Sequence, residues 1–184
     1  ITPDWRVGVI GNSGSDSSLA ARQAFYTGVK FYCGLCLPSY PPFYEYPLYF
    51  ELGSDADTIA WRTAADNMIN RSVTTVYIVP GAGDDEMLRH LSQAGVNIIA
   101  GQHPLAEIQD RWVATLSYDL VDTFIETWPD FSAGSDSLAI TLPLRITEVN
   151  PNLLSPGKQR VVEETLADML EGYIDLGVDA GSSP

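Results

Sequence analysis

Two hydrophobic rhythms run along the chain. Short, continuous apolar runs end at glycine, proline or a small polar cluster, and between them lie longer stretches with apolar residues at helical spacing. Arg6–Gly11 is the first such run, followed by a loop of N-cap residues (Asn12–Ser18) and a helical pattern over Leu19–Tyr32. Cys33–Pro47, rich in prolines and aromatic rings, reads as an irregular insertion that packs its own side chains onto the surface. Leu48–Leu52 is the second strand, and Asp57 or Thr58 caps a helix over Ile59–Asn70. Val73–Val79 is a β-branched run that stops at Pro80-Gly81, and Ala82–Asp85 leads into a helix ending at Gly95. Val96–Ala100 and Val113–Ser117 are the fourth and fifth strands, the latter running straight into a helix over Leu120–Trp128. After a turn at Phe131–Asp136, the alternating stretch Leu138–Val149, broken by Pro143, has the character of an edge strand. Pro151–Pro156 is a loop and Gly157–Leu176 a long amphipathic helix.

Strands alternating with helices predict an α/β fold, a doubly wound, mostly parallel sheet flanked by helices with a flavodoxin-like strand order. The continuous apolar character of Val73–Val79 marks it as a central strand buried on both faces. No domain linker interrupts residues 1–176, which form one lobe, and the small polar residues 177–184 read as a disordered tail. Open α/β sheets take their ligands at the carboxyl ends of the strands. The candidate ligand-binding residues are therefore Asn12 and Ser13 after strand one, and Gly81, Ala82, Gly83 and Asp84 after strand three. Gln102 and His103 follow strand four, and Tyr118 and Asp119 follow strand five. Gln102 offers both a donor and an acceptor, Asp119 favours a cationic or hydroxyl-rich group, and Tyr118 offers a ring to stack on.

Composition narrows the partners. With 24 acidic against 10 basic side chains the net charge is -14, which argues against nucleic acid. No apolar run reaches the roughly 20 residues that a membrane helix needs. The sequence opens on Ile1 without a leader pattern, the expectation being a removed leader or an excised piece. Cys33 and Cys36 form one C-x-x-C that follows a helix instead of starting one. A local structural disulfide is the favoured reading, two free thiols the alternative and redox chemistry the least favoured, and no second pair completes a zinc site.

Catalytic patterns do not complete themselves. Gly11-Asn12-Ser13-Gly14-Ser15 resembles a nucleophile elbow, but position 15 is serine where the turn needs glycine, and no late histidine closes a triad. The same loop is either a helix N-terminus able to hold a polar ligand group or a simple cap. Neither a dinucleotide fingerprint nor a P-loop is present. Asp84-Asp85-Glu86 is read first as a favourable charge cluster at a helix start, and His90 as a surface residue. No catalytic residue, metal or cofactor is expected.

Four pieces carry a resemblance from Arg6 to about Leu176. These are Arg6–Gly11 with Phe25–Lys30, then Pro80–Gly83, Ile98–Gln102, and Asn150–Pro156 with its following helix. In order and spacing the chain resembles the basic membrane protein (BMP) family. These are extracytoplasmic lipoproteins of type I periplasmic-binding-protein fold that bind purine nucleosides for ABC transport. The resemblance implies one lobe of a two-lobe protein, a small-molecule ligand, an ABC transporter permease as partner, an extracytoplasmic location and membrane attachment only through a lipid anchor outside this chain. A lone lobe exposes half a cleft, which points to weak binding or to a homodimer. The family aspartate that holds the ribose hydroxyls falls on Gln102, and its conserved-position lysine on Asp119, reversing the local charge. The alternative function is a sensory or protein-interaction domain that keeps the fold and has lost small-molecule binding.

Overall fold

The computed structural model describes residues 6–33, 41, 43–53, 55–118, 120–134 and 144–174. Within them the strands are β1 (Val7–Asn12), β2 (Leu48–Leu52), β3 (Thr75–Ile78), β4 (Asn97–Ala100), β5 (Trp112–Tyr118) and β6 (Leu144–Thr147). The helices are α1 (Asp16–Cys33), α2 (Thr58–Asn70), α3 (Asp85–Gln93), α4 (Leu120–Ser132) and α5 (Pro156–Leu170). The strands form one sheet in the order β2-β1-β3-β4-β5-β6, parallel except for β6, which lies antiparallel on the β5 edge. This is the expected doubly wound α/β sheet, with β6 as the edge strand that its interrupted alternation predicted.

Side-chain alternation gives the two faces of the sheet. Ile10, Val76, Ile78, Ile98 and Ala100 join Trp61, Ala65 and Met68 of α2 and Met87, Leu88 and Leu91 of α3 in one buried cluster. Gly8 lets α2 settle directly on β1, since a Cβ there would stand 2.6 Å from Met68 Sδ. On the other face Phe25 of α1 stacks on Tyr77 of β3 with ring centroids 5.4 Å apart. α5 reaches α1 through the hydroxyls of Tyr32 and Thr165, which are hydrogen-bonded.

Several boundaries differ from the sequence reading for local reasons. α1 starts at Asp16, not Leu19, because Ser15 accepts from the N–H groups of Ser18 and Leu19 through its carbonyl and so turns the polar run into the first turn. α4 continues through Pro129 to Ser132. α5 ends at Leu170, short of the predicted Leu176: Gly172 takes φ +80° and Tyr173 N–H returns to Asp168 O, which closes the helix. A short 3-10 turn, Ala106–Arg111, leads into β5 and carries no clear hydrophobic period. The Cys33–Cys36 pairing, the first half of the predicted stretch Leu138–Val149 and the tail 177–184 lie outside the described residues.

Candidate functional site

The register shows which residues reach the carboxyl edge together. Ile10 pairs with Ile78, Ile78 with Ala100 and Ala100 with Thr115, so these four are level across β1, β3, β4 and β5. One step beyond, the chain turns out of β3 and β4 into short loops, whereas β5 continues to Tyr118. Tyr118 therefore stands three residues, about 10 Å, above the row at the β5 side of the edge. Its neighbourhood raises the Tyr77 hydroxyl pKa to about 12, through burial first and the Tyr118 hydroxyl second.

Between β1 and β3 the chain direction switches: β1 is followed by β2 on one side, while β3 lies on the other. Here Asn12 closes β1. Its N–H donates to Ser18 Oγ at 2.8 Å, and Ser13 N–H donates to Leu52 O at 2.8 Å. Both of these N–H groups are thus engaged within the fold, which leaves the side chains of Asn12 and Ser13 for a ligand. Asn12 Oδ1 is buried and meets no hydrogen-bond donor among the described residues. Opposite lies Gly81 at φ +79°, where an added Cβ would stand 3.6 Å from Asn12 Nδ2. A side chain at 81 would both strain the backbone and narrow this crevice.

The rest of the glycine segment divides in two. Ala82 is buried, and its N–H bonds to Val79 O at 2.9 Å, so it holds the turn. Asp84 is the α3 N-cap, with Oδ1 accepting from Met87 N–H at 2.8 Å. That use goes beyond the charge-cluster reading of 84–86 and commits one carboxylate oxygen of a residue expected to hold ligand.

At the β4–β5 side the structure assembles a network that the sequence reading saw only in part. His103 Nδ1 donates to Glu148 Oε1 at 2.9 Å, while Glu148 Oε2 accepts from the Thr115 hydroxyl at 2.6 Å. Thr115 Oγ1 in turn accepts the buried indole N–H of Trp112 at 3.0 Å and lies 3.2 Å from the Gln102 carbonyl. Burial pushes the Glu148 pKa up, but the hydrogen bonds from Thr115 and His103, with the His103 charge, outweigh it and leave the carboxyl below its usual range. Glu148 adopts φ +49°, a left-handed conformation that is costly for a residue with a Cβ and is held here by two hydrogen bonds. The His103 side chain is 88% exposed, so its other ring nitrogen faces solvent.

Of the expected ligand residues, the fold brings Asn12 against Gly81 at the switch point and sets Gln102 and His103 beside Thr115 and Glu148. Tyr118 rises at the flank, and Asp119 lies outside the described residues. Glu148, Thr115 and Trp112 were not expected. The nearest signal was the placement of Glu148 immediately after an edge strand, which says nothing about its partners. His90 is not a free surface residue: its Nε2 donates to Asp66 Oδ1 at 2.6 Å and ties α3 to α2. Among the described residues no cluster of three metal-ligating side chains exists, and no helix is long and apolar enough to cross a membrane.

No family model matches the chain, and no curated protein sequence matches it. Among solved structures it is similar to an ABC transporter system solute-binding protein from Conexibacter woesei, at 22% identity and a TM-score of 0.56. That match covers 92% of this chain and 56% of the other, so the chain spans little more than half of that protein's length. A conserved domain protein from Vibrio cholerae matches at 15% identity and a TM-score of 0.45, over 76% of this chain and 46% of that one. The likeness to the first establishes the fold alone: the described residues form a doubly wound α/β sheet of the same architecture as part of that protein.

Proposed function

We propose that this chain is a non-catalytic ligand-binding lobe of an extracytoplasmic solute-binding lipoprotein serving an ABC-type uptake system. A small polar ligand is held at the carboxyl edge of the sheet. The observation that carries the reading is Asn12: a buried carbonyl oxygen without a donor among the described residues, set at the topological switch point across from a glycine turn. A buried acceptor left unpaired costs on the order of 1–3 kcal/mol. A ligand N–H or O–H removes that cost. Gln102 and His103, about 10 Å across the sheet from Asn12 by strand spacing, and Tyr118, about 14 Å across on β5, supply further polar contacts together with Asp119. The resemblance to the BMP family supports a nucleoside-like shape. Gln102 and Asp119, standing where that family has an aspartate and a lysine, argue for a different hydrogen-bond pattern.

Thermal shift of the full-length protein against nucleosides, sugars and amines tests the proposal. A ligand at about 100 times its Kd stabilises by roughly 2.7 kcal/mol. Asn12→Ala and Gln102→Ala are expected to abolish that shift without lowering the unliganded midpoint. No shift with any compound would sink the transport reading.

A second reading, a sensory or protein-interaction domain without small-molecule binding, is favoured by one observation. Asp84 and His103 are already engaged by the chain's own Met87 N–H and Glu148. Calorimetry separates the two: an inert edge in the intact protein favours the interaction domain.

A further inference from the structure

α4 is turned inside out for a helix with only its own sheet to cover. At about 100° per residue, Leu120, Val121, Phe124, Ile125, Trp128 and Phe131 fall within one arc of roughly 140°. Asp122, Glu126 and Asp130 lie opposite, and Thr123 and Thr127 between. An amphipathic helix ordinarily buries the apolar arc. Here the buried residue is Thr123, while the six apolar side chains are 51–69% exposed. Their rings already touch one another, Phe124 to Trp128 at 5.3 Å and Trp128 to Phe131 at 6.1 Å between centroids.

The size of the stripe sets what covers it. Three rings of ~150–250 Å² each, exposed to this degree, leave roughly 270–440 Å² in water. With Leu120, Val121 and Ile125 added, the stripe reaches or passes the ~300–600 Å² of the largest patch on an ordinary monomer. It supplies a large part of the ~800 Å² that each partner gives to a standard interface. Charge excludes an anionic membrane: α4 carries no Lys or Arg, its polar side is acidic, and the whole chain is at -14.

We propose that α4 is a dimer surface, pairing antiparallel with α4 of a second copy of this chain. The stripe is self-complementary in that direction. Its N-terminal half is mainly aliphatic (Leu120, Val121, Ile125) and its C-terminal half aromatic (Trp128, Phe131). A two-fold axis near Ile125 lays the rings of each copy on the aliphatic end of the other. The acidic row points away from that contact, so two strongly negative chains approach without their α4 carboxylates meeting. Such an isologous contact closes at two copies.

Sedimentation equilibrium of the 184-residue chain tests this. The expected mass rises from 20.1 kDa toward twice that value with increasing micromolar concentration and is not reduced by high salt. Phe124→Glu with Trp128→Glu is expected to weaken association by ~100-fold or more, with an unchanged far-ultraviolet circular dichroism spectrum. Ile59→Ser, on the exposed face of α2, is expected to leave it intact. Independently of those variants, Ile125→Cys near the two-fold axis is expected to cross-link two copies under mild oxidation beyond any background from the native cysteines. A chain that stays monomeric at every concentration overturns the proposal. So does a dimer indifferent to the double substitution, or an Ile125→Cys chain that does not cross-link. Monomers destabilised by the double substitution would mean that the chain itself covers the stripe, which also overturns it.

Discussion

α3 and α4 are helices of similar character in sequence and opposite character in place. Both carry a clear apolar stripe and an acidic side. α3 buries Met87, Leu88 and Leu91 between the sheet and α2 and leaves Asp85 and Glu86 in solvent. α4 buries Thr123 and leaves its stripe in solvent. The difference teaches that a hydrophobic period says a face wants covering but not what covers it. α3 has its cover inside the domain. α4 needs one from outside the described residues.

The contrast breaks most directly by truncation on each helix. Leu88→Ala on α3 removes a fully buried side chain and is expected to cost ~2–5 kcal/mol in urea denaturation. Trp128→Ser on α4, measured at a concentration low enough to keep the chain monomeric, is expected to stay within ~0.5 kcal/mol of the parent. Equal losses at the two positions would erase the distinction.

The tightly packed half makes a second, smaller prediction. A Cβ at Gly101 would stand 2.4 Å from Pro80 Cγ, part of a ring that cannot swing aside. Gly101→Ala is expected to cost ~1–3 kcal/mol by the same measurement, since the β3 and β4 exits must move apart. The effect is also expected to weaken any ligand bound at that edge.

Glu148 tests the other half through pH. Its folded pKa lies below the unfolded value, so the stability it contributes is present above that unfolded value, near 4.5, and is lost as pH falls through the lower folded one. The stability gap between parent and Glu148→Gln is expected to be constant at neutral pH and to close on acidification below about 4.5. A gap that widened there would contradict the hydrogen bonds from Thr115 and His103. The smallest effect is expected at the α2–α3 tie: Asp66→Asn, which weakens an exposed carboxylate–histidine pair, is expected to cost ~0.2–1 kcal/mol.

The strand sequence, the central place of Val73–Val79, the edge character of the stretch that holds β6, and the cap at Asp57 or Thr58, which the structure assigns to Asp57, were legible in the chain. Each depends on local period or on a side chain within a few residues of the backbone it serves. The acidic cluster at 84–86 is legible as a dipole feature of a helix start, while the capping of α3 by Asp84 emerges only from the structure. The glycine turn after β3 was legible as a candidate edge for the same local reason. What stayed hidden depends on residues far apart in sequence. His103 and Glu148 meet across 45 positions, and Asp66 and His90 across 24. The left-handed backbone at Glu148 has no sequence signature, because only its two partners hold it there.

The candidate site shows the same division. Asn12, Gln102 and Tyr118 could each be placed at a strand end from the chain alone. Whether those ends are level is a matter of register, and register put Tyr118 above the others and Asn12 against Gly81. Sequence by itself determined which residues are apolar, where the elements break and which termini are capped, since those are short-range properties of the backbone and its neighbours. Only the tertiary structure decided that Asn12 Oδ1 is buried without a donor among the described residues, which carboxylate is tied to His103, and which apolar stripe is left uncovered. Burial and pairing belong to the space between elements, and that space exists only once the sheet has closed.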